Sequence, residues 1–168
     1  YLPYANLDNY SVCGGEIGAQ AKWNNGFGAR LTYAYTKEQL AKDKNGNTIN
    51  NQYIPAREHA LNARVDFDRQ LTKTYGLNIA LQGRVLSGVE NVEYKDYYDV
   101  SKGTISVEYP AYTIWKLSVV QRVGKAVKVN VALDNLFGYK PKYYYLNSPI
   151  TDGINLQIGM SIDIDKIF

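Results

Sequence analysis

The chain has 168 residues, enough for one domain of ordinary size. Its 19 basic and 16 acidic residues leave a net charge of only +3, too balanced for a nucleic-acid footprint. No stretch approaches the roughly 18 apolar residues of a membrane-spanning helix, no segment has the three-part build of a signal peptide, and the single Cys13 cannot form an internal disulfide. One bias stands out: 16 tyrosines against 4 phenylalanines. Tyrosine is apolar along its ring and polar at its tip, which suits half-wet surfaces.

Taken in chain order, the segments share a beat of two. Ile17, Ala19, Ala21 and Trp23 alternate with Glu16, Gln20 and Lys22. Phe27, Leu31, Tyr33 and Tyr35 alternate with Arg30, Thr32 and Thr36. Leu61, Ala63, Val65 and Phe67 alternate with Asn62, Arg64, Asp66 and Asp68, and Leu77, Ile79, Leu81 and Val85 with Asn78, Gln82 and Arg84. Trp115, Leu117 and Val119 then alternate with Lys116 and Ser118, and Val127, Val129, Val131 and Leu133 with Lys128, Asn130, Ala132 and Asp134. The last segment places Ile154, Leu156, Ile158, Met160, Ile162 and Ile164 against Asn155, Gln157, Gly159, Ser161, Asp163 and Asp165. A period of two means a strand with one apolar and one polar face. The count is seven strands, with an eighth faint one in residues 1–7, and no helical period.

The connections alternate in length. Residues 24–26 (Asn-Asn-Gly) form a tight turn, because Asn-Gly accepts positive φ at little cost. Residues 123–125 form another short link, and 69–76 an intermediate one. The links at 39–56, 89–110 and 138–152 are long. Outer-membrane barrels have this alternation of short periplasmic turns and long extracellular loops.

A soluble antiparallel barrel or sandwich also alternates its faces, with the apolar face turned inward. Three features favour the membrane. The strands match the roughly 9–11 residues of a tilted bilayer-crossing strand. Aromatics flank the links as interfacial girdles do: Trp23, Phe27 and Phe67 at the short turns, Tyr33, Tyr35 and Tyr112 towards the long loops. The polar face is ionic, with Glu16, Lys22, Arg30, Arg64, Asp66, Arg84, Lys116 and Lys128, which suits a wet lumen. An odd number of strands, with the first running inward from outside the cell, points to the C-terminal piece of a larger barrel. On this topology the C-terminus is periplasmic.

Several short motifs then resemble the TonB-dependent outer-membrane receptors. They are "DNLF" at 134–137, the closing alternating strand that ends in Phe168, "ANLDNYSVCGGEIGAQAKW" at 5–23 with Gly14 or Gly15 before Glu16, and "IPAREHALN" at 54–62, a looser fit. The resemblance covers nearly the whole chain. It implies an all-β fold: an antiparallel transmembrane β-barrel segment, seven or eight strands of a barrel of about 22 with a plugged lumen. Residues 1–168 would be the C-terminal portion of that barrel, with the plug and the TonB box outside it. The implied function is TonB-dependent uptake of a large, scarce nutrient such as a ferric siderophore, haem or cobalamin. The implied partners are the TonB–ExbB–ExbD complex, the N-terminal remainder of the same receptor, outer-membrane lipid, and the barrel-assembly machinery, which reads Phe168 as its signal. A small self-contained barrel with a structural or adhesive role, or a soluble ligand-binding barrel, remain the alternatives.

Candidate ligand residues are the loop tyrosines: Tyr94, Tyr97 and Tyr98, with Tyr109 nearby, and Tyr143, Tyr144 and Tyr145, with Tyr139 nearby. Rigid amphipathic rings offer contact area at low entropy cost; loop packing and girdle positions are the alternative. His59, the only histidine, shares parity with Leu61 and Val65 and reads as an interfacial residue rather than a haem ligand. "DKNGN" at 43–47 echoes a calcium loop without its distal glutamate, and Glu90, Glu93, Asp96 and Asp99 read as a solvated loop. No catalytic constellation, metal cluster or cofactor motif is present, so the chain is expected not to be an enzyme. The ionic face reads as a wall that pairs with itself and with a plug.

Overall fold

The computed structural model describes residues 11–39, 56–96, 98–141 and 153–166. Nine strands and two short 3-10 turns are built from them: β1 (Ser11–Lys22), β2 (Phe27–Gln39), β3 (His59–Gln70), β4 (Tyr75–Leu86), β5 (Val89–Tyr94), β6 (Thr104–Tyr109), β7 (Tyr112–Val123), β8 (Val127–Asp134) and β9 (Asn155–Ile162), with the 3-10 turns at Val100–Lys102 and Ile164–Lys166. The fold is all-β. Seven strands form one sheet in the order β1-β2-β3-β4-β7-β8-β9, and β5 and β6 form a separate two-stranded sheet.

Every alternating segment of the sequence becomes a strand of the large sheet, and the register shows why. Between β8 and β9, Val127 faces Ile162, Val129 faces Met160, Val131 faces Ile158 and Leu133 faces Leu156. The intervening pairs are Lys128 with Ser161, Asn130 with Gly159, Ala132 with Gln157 and Asp134 with Asn155. A slip of one residue would set an aliphatic chain against a polar one at each of these rungs, so the pattern fixes the pairing. The links at residues 23–26, 71–74 and 124–126 are short. In the first, Trp23 N donates to Phe27 O at 2.8 Å and Gly26 N to Trp23 O at 3.1 Å.

The chain divides into two compact units. One comprises Ile17–Tyr33, Leu61–Val85 and Tyr112–Phe168. Its apolar face is open rather than enclosed: Ile158 is 71% and Met160 67% exposed, and Ile17, Leu31, Val65 and Leu156 are exposed with them. Phe27 and Phe67 touch on this face, ring centroids 4.9 Å apart. The polar face is braced by ion pairs. Arg122 Nη2 reaches Asp68 Oδ1 at 2.6 Å. These residues sit on β7 and β3, with β4 between them, and the guanidinium crosses at Gly76. A Cβ there would lie 2.7 Å from Arg122 Nε.

The other unit comprises Tyr1–Glu16, Ala34–Ala60 and Leu86–Ala111. Gly14 backs onto the Tyr35 carbonyl so closely that no side chain fits, whereas Gly15 meets nothing, so Gly14 is the residue this motif requires. Arg57 Nη1 donates to the carbonyls of Ser87 and, at 2.9 Å, Pro110. His59 N donates to Ser87 Oγ at 3.1 Å, and Ser87 N to His59 O at 2.9 Å. One arginine thus ties the start of β3 to both ends of the β5–β6 hairpin.

Three expectations need correction. The link at 89–110 is structured: β5 pairs with β6 from Val89 opposite Tyr109 to Tyr94 opposite Thr104. Its strands have six residues each, and Glu90 lies opposite Glu108, so no clean alternation advertises them. The closing strand spans Asn155–Ile162, shorter than the alternation from Ile154 to Ile164 implies. Asp163 N still donates to Ala126 O at 2.8 Å, and the chain then winds into a 3-10 turn. Tyr112 lies on the polar face, because it shares parity with Ile114 and Lys116; its amphipathic ring suggested a girdle, but the strand decides the side. The faint strand in 1–7 and the Asp43–Asn47 echo lie outside the described residues.

Asp96 and Asp99 organise the tip of the hairpin. Asp96 accepts from Tyr98 N at 2.9 Å and pairs with Lys102 Nζ at 2.6 Å. Asp99 Oδ1 accepts from Ser101 N at 3.2 Å and from Ser101 Oγ at 2.5 Å. The Lys102 ammonium, helped by the Tyr98 amide, holds the Asp96 carboxyl below its ordinary value of 3.8. The folded turn therefore favours the ionised form. Its contribution is full above that ordinary value and is lost as pH falls through the lower folded one. We expect Lys102→Ala to move the Asp96 midpoint upward, read from the carboxyl 13C shift against pH; an unmoved midpoint would show that the pair does not form.

Candidate functional site

The polar face of β2, β3, β4, β7 and β8 forms a concavity of about 500 Å³. Strand parity builds it: Arg30 and Thr32 from β2, Asn62 and Arg64 from β3, Gln82 and Arg84 from β4, and Tyr112, Ile114 and Lys116 from β7 all point the same way, and Asp134 closes it from β8. Four cations thus meet one carboxylate in the lining. The interactions among them are partial. Lys116 Nζ pairs with Asp134 Oδ1 at 2.9 Å. Arg64 Nε pairs with Asp66 Oδ1 at 3.0 Å and its Nη1 donates to Gln82 Oε1 at 3.1 Å. Arg30 Nη2 donates to the neutral Gln20 Oε1 at 2.8 Å. The Arg84 side chain is exposed and has no ion pair or hydrogen bond among the described residues.

Tyr112 stacks on Tyr139, centroids 5.2 Å apart and planes 19° from parallel. Tyr139 is held by the turn that follows β8. Asn135 there has φ 52° and is 4% exposed. Its Oδ1 accepts from Tyr139 N at 2.9 Å, and its Nδ2 donates to Tyr139 O at 2.7 Å and Gly153 O at 3.1 Å. Gly138 N closes the turn on Asn135 O at 2.8 Å, Leu136 N donates to Trp115 O at 2.8 Å, and the Phe137 ring meets Trp115 edge-on. The "DNLF" motif therefore has a physical reading. Asp134 anchors Lys116, Asn135 takes a left-handed conformation that asparagine tolerates while satisfying three backbone groups, and Phe137 packs on a tryptophan.

The expected ligand tyrosines are only partly described. Tyr97, Tyr143, Tyr144 and Tyr145, and the terminal Phe168, lie outside the described residues. Tyr94 is half-buried at the end of β5, while Tyr98 is 101% exposed, and no ring contact joins them. The aromatic pair that the structure does assemble, Tyr112 with Tyr139, was missed as a pair because its members are far apart in sequence. The sequence signal that could have assigned Tyr112 to the polar face is its even spacing from Lys116.

A second concavity, of about 520 Å³, is lined by Glu38, Glu58, His59 and Glu90. His59 lies at its edge with its ring 5.3 Å from Tyr35. Among the described residues no three His, Cys, Asp or Glu side chains converge to hold a metal ion. Cys13 is exposed on β1.

Comparison with known proteins fits this geometry. The family model described as TonB dependent receptor-like, beta-barrel matches residues 2–136. The chain belongs to this family of outer-membrane β-barrels. Among solved structures it is similar to the FrpB iron transporter from Neisseria meningitidis (F3-3 variant), with a TM-score of 0.62 and 16% identity over 91% of this chain and 23% of that one. That likeness concerns the fold, and the chain spans about a quarter of that structure's length. No curated protein matches the sequence.

Asn135 gives a sharp test of the turn. Asn135→Gly keeps the positive φ and loses the side-chain bonds, at a cost of about 1–3 kcal/mol. Asn135→Ala adds the left-handed penalty of about 1–2 kcal/mol. Thermal unfolding of the folded protein should therefore rank wild type above Gly above Ala; equal losses would mean that the backbone conformation contributes nothing.

Proposed function

We propose that this chain is the C-terminal portion of the barrel of an outer-membrane receptor for TonB-dependent active uptake. The cargo class is a large, scarce nutrient: a ferric siderophore, haem or cobalamin. The observation that carries the reading is the disposition of the two faces. The ionic side chains line a concavity, and the aliphatic ones cover the opposite, open face. A soluble barrel needs the reverse, with the aliphatic face enclosed. A lipid-facing wall needs what is found, since hydrocarbon receives Ile158 and Met160 and water fills the lumen.

Among the described residues no further strand pairs with the outer edges of β1 and β9, which supports the same reading. In lipid each unpaired strand edge is costly, so further strands from the remainder of the receptor complete the barrel. Energy then comes from TonB, ExbB and ExbD through a plug and TonB box carried by that remainder. The chain moves its cargo and does not transform it. The solved neighbour's description as an iron transporter supports iron as the first nutrient to examine.

Two measurements test this. A deletion strain grown on defined iron, haem and cobalamin sources should fail on one of them; normal growth on all three would sink the uptake reading. In the intact protein, Met160→Arg should destabilise the folded barrel by about 2–4 kcal/mol near mid-membrane, whereas Gln157→Arg should cost little. The reverse order would put the aliphatic face inside and restore the soluble alternative.

A further inference from the structure

We propose that the short-turn rim of the large sheet is a seat for an anionic phospholipid. Its phosphate meets Arg69, Lys73 and Lys125, and its acyl chains lie on the aliphatic face. The inference rests on the membrane part of the uptake reading and goes beyond it by naming the class of lipid.

The order of side chains along one strand comes first. On its apolar face β3 presents Leu61, Ala63, Val65 and Phe67 in succession, and the next residue of that parity is Arg69. The series passes from aliphatic to aromatic to cationic as it nears the turn. A bilayer passes from hydrocarbon to interface to head group in the same order. Phe67 meets Phe27 with centroids 4.9 Å apart, and Trp23, at the start of the neighbouring link, is exposed. The same face also turns polar towards the short links of β4 and β7, where the Tyr75 hydroxyl donates to Gln121 Oε1 at 3.2 Å. A charge on a lipid-facing strand is costly in the hydrocarbon and tolerated at the interface. Arg69 therefore marks the head-group level.

The gathering of charge comes second. Gly124 N donates to Thr74 O at 2.7 Å, which sets the 71–74 link beside the 124–126 link and brings Lys73 and Lys125 onto adjacent turns. On the other side Gly26 backs onto Arg69, since a Cβ there would lie 3.2 Å from Arg69 Cβ. Arg69, Lys73 and Lys125 thus follow one another along three successive links, all exposed, and the links at 23–26, 71–74 and 124–126 contain no Asp or Glu. Asp68, next to Arg69 in sequence, belongs to the polar face, where Arg122 holds it at 2.6 Å.

These two observations select the occupant. A guanidinium fork matches a phosphate two bonds at a time, and ammonium groups near it add charge. A zwitterionic head group offers the same phosphate but brings a cation of its own, which three cations repel. A soluble acidic protein would satisfy the charges and leave the aliphatic face beside them uncovered. An anionic phospholipid covers both.

The test uses the intact protein in detergent, with bound lipids counted by native mass spectrometry. The probes are phosphatidylglycerol and phosphatidylcholine of equal chain length and, separately, inorganic phosphate. Phosphatidylglycerol should bind about tenfold more tightly than phosphatidylcholine, and raised salt should shrink the difference. Arg69→Gln should cut the preference about fivefold, and adding Lys73→Gln and Lys125→Gln should bring it near unity. Arg69→Lys, which keeps the charge, should retain most of it. Lys128→Gln, at the start of β8 but on the polar face, should leave it unchanged. The proposal is overturned if the two lipids bind equally, if the triple variant keeps the preference, or if Lys128→Gln loses as much of it as Arg69→Gln. Inorganic phosphate binding as tightly as the lipid would also overturn it, since the acyl chains would then contribute nothing. The comparison of Met160→Arg with Gln157→Arg tests the membrane reading separately, so a lipid-facing wall without lipid preference removes this inference alone.

Discussion

A β-strand can send its side chains in only two directions, and everything else in this chain follows from keeping those directions apart over seven strands. Val129 against Met160 and Asn130 against Gly159 are neighbouring rungs of one ladder with opposite environments. Backbone hydrogen bonds hold the strands side by side without saying which rung meets which. That choice comes from the side chains, because a slip of one residue inverts both faces at once. The wall with its ionic hollow and the aliphatic surface behind it are two consequences of a single register.

Much of the fold was legible for that reason. Period two is a local signal, and Leu61 to Phe67 or Val127 to Leu133 carry it without help from the rest of the chain. The same local character explains what was missed. The β5–β6 hairpin mixes its polarity: Glu93 pairs with Ile105 and Val92 with Ser106, so neither strand announces a face. For Tyr112, residue type points to the apolar face and strand position to the polar one, and position decides. A tyrosine fits a lipid interface and a wet lumen equally well, so only its distance of four residues from Lys116 settles the matter. The closing strand reads longer than it is because Ile164 keeps the rhythm after the backbone has left the ladder.

The candidate site was legible as a list of charges and illegible as a place. Arg30, Arg64, Arg84 and Lys116 could each be assigned to the polar face from spacing alone. That they share one hollow, and that Asp134 and Asp66 neutralise only part of them, depends on which strands are neighbours. Loop tyrosines are the conspicuous aromatics of the sequence, yet the described stack joins Tyr112 on β7 to Tyr139 beyond β8. Asn135 shows the same limit. Its place in a family motif was visible, while its role as a buried latch on Tyr139 and Gly153 requires knowing that the two ends of a long loop come together.

The bond from Arg122 to Asp68 has a mechanical meaning. Ladder bonds join nearest neighbours, and two strands can slide past each other by trading one set of rungs for the next. A contact that passes over β4 at Gly76 to join β3 and β7 acts as a diagonal brace, because sliding either strand lengthens it at once. The brace thus stiffens the short-turn end of the sheet against shear.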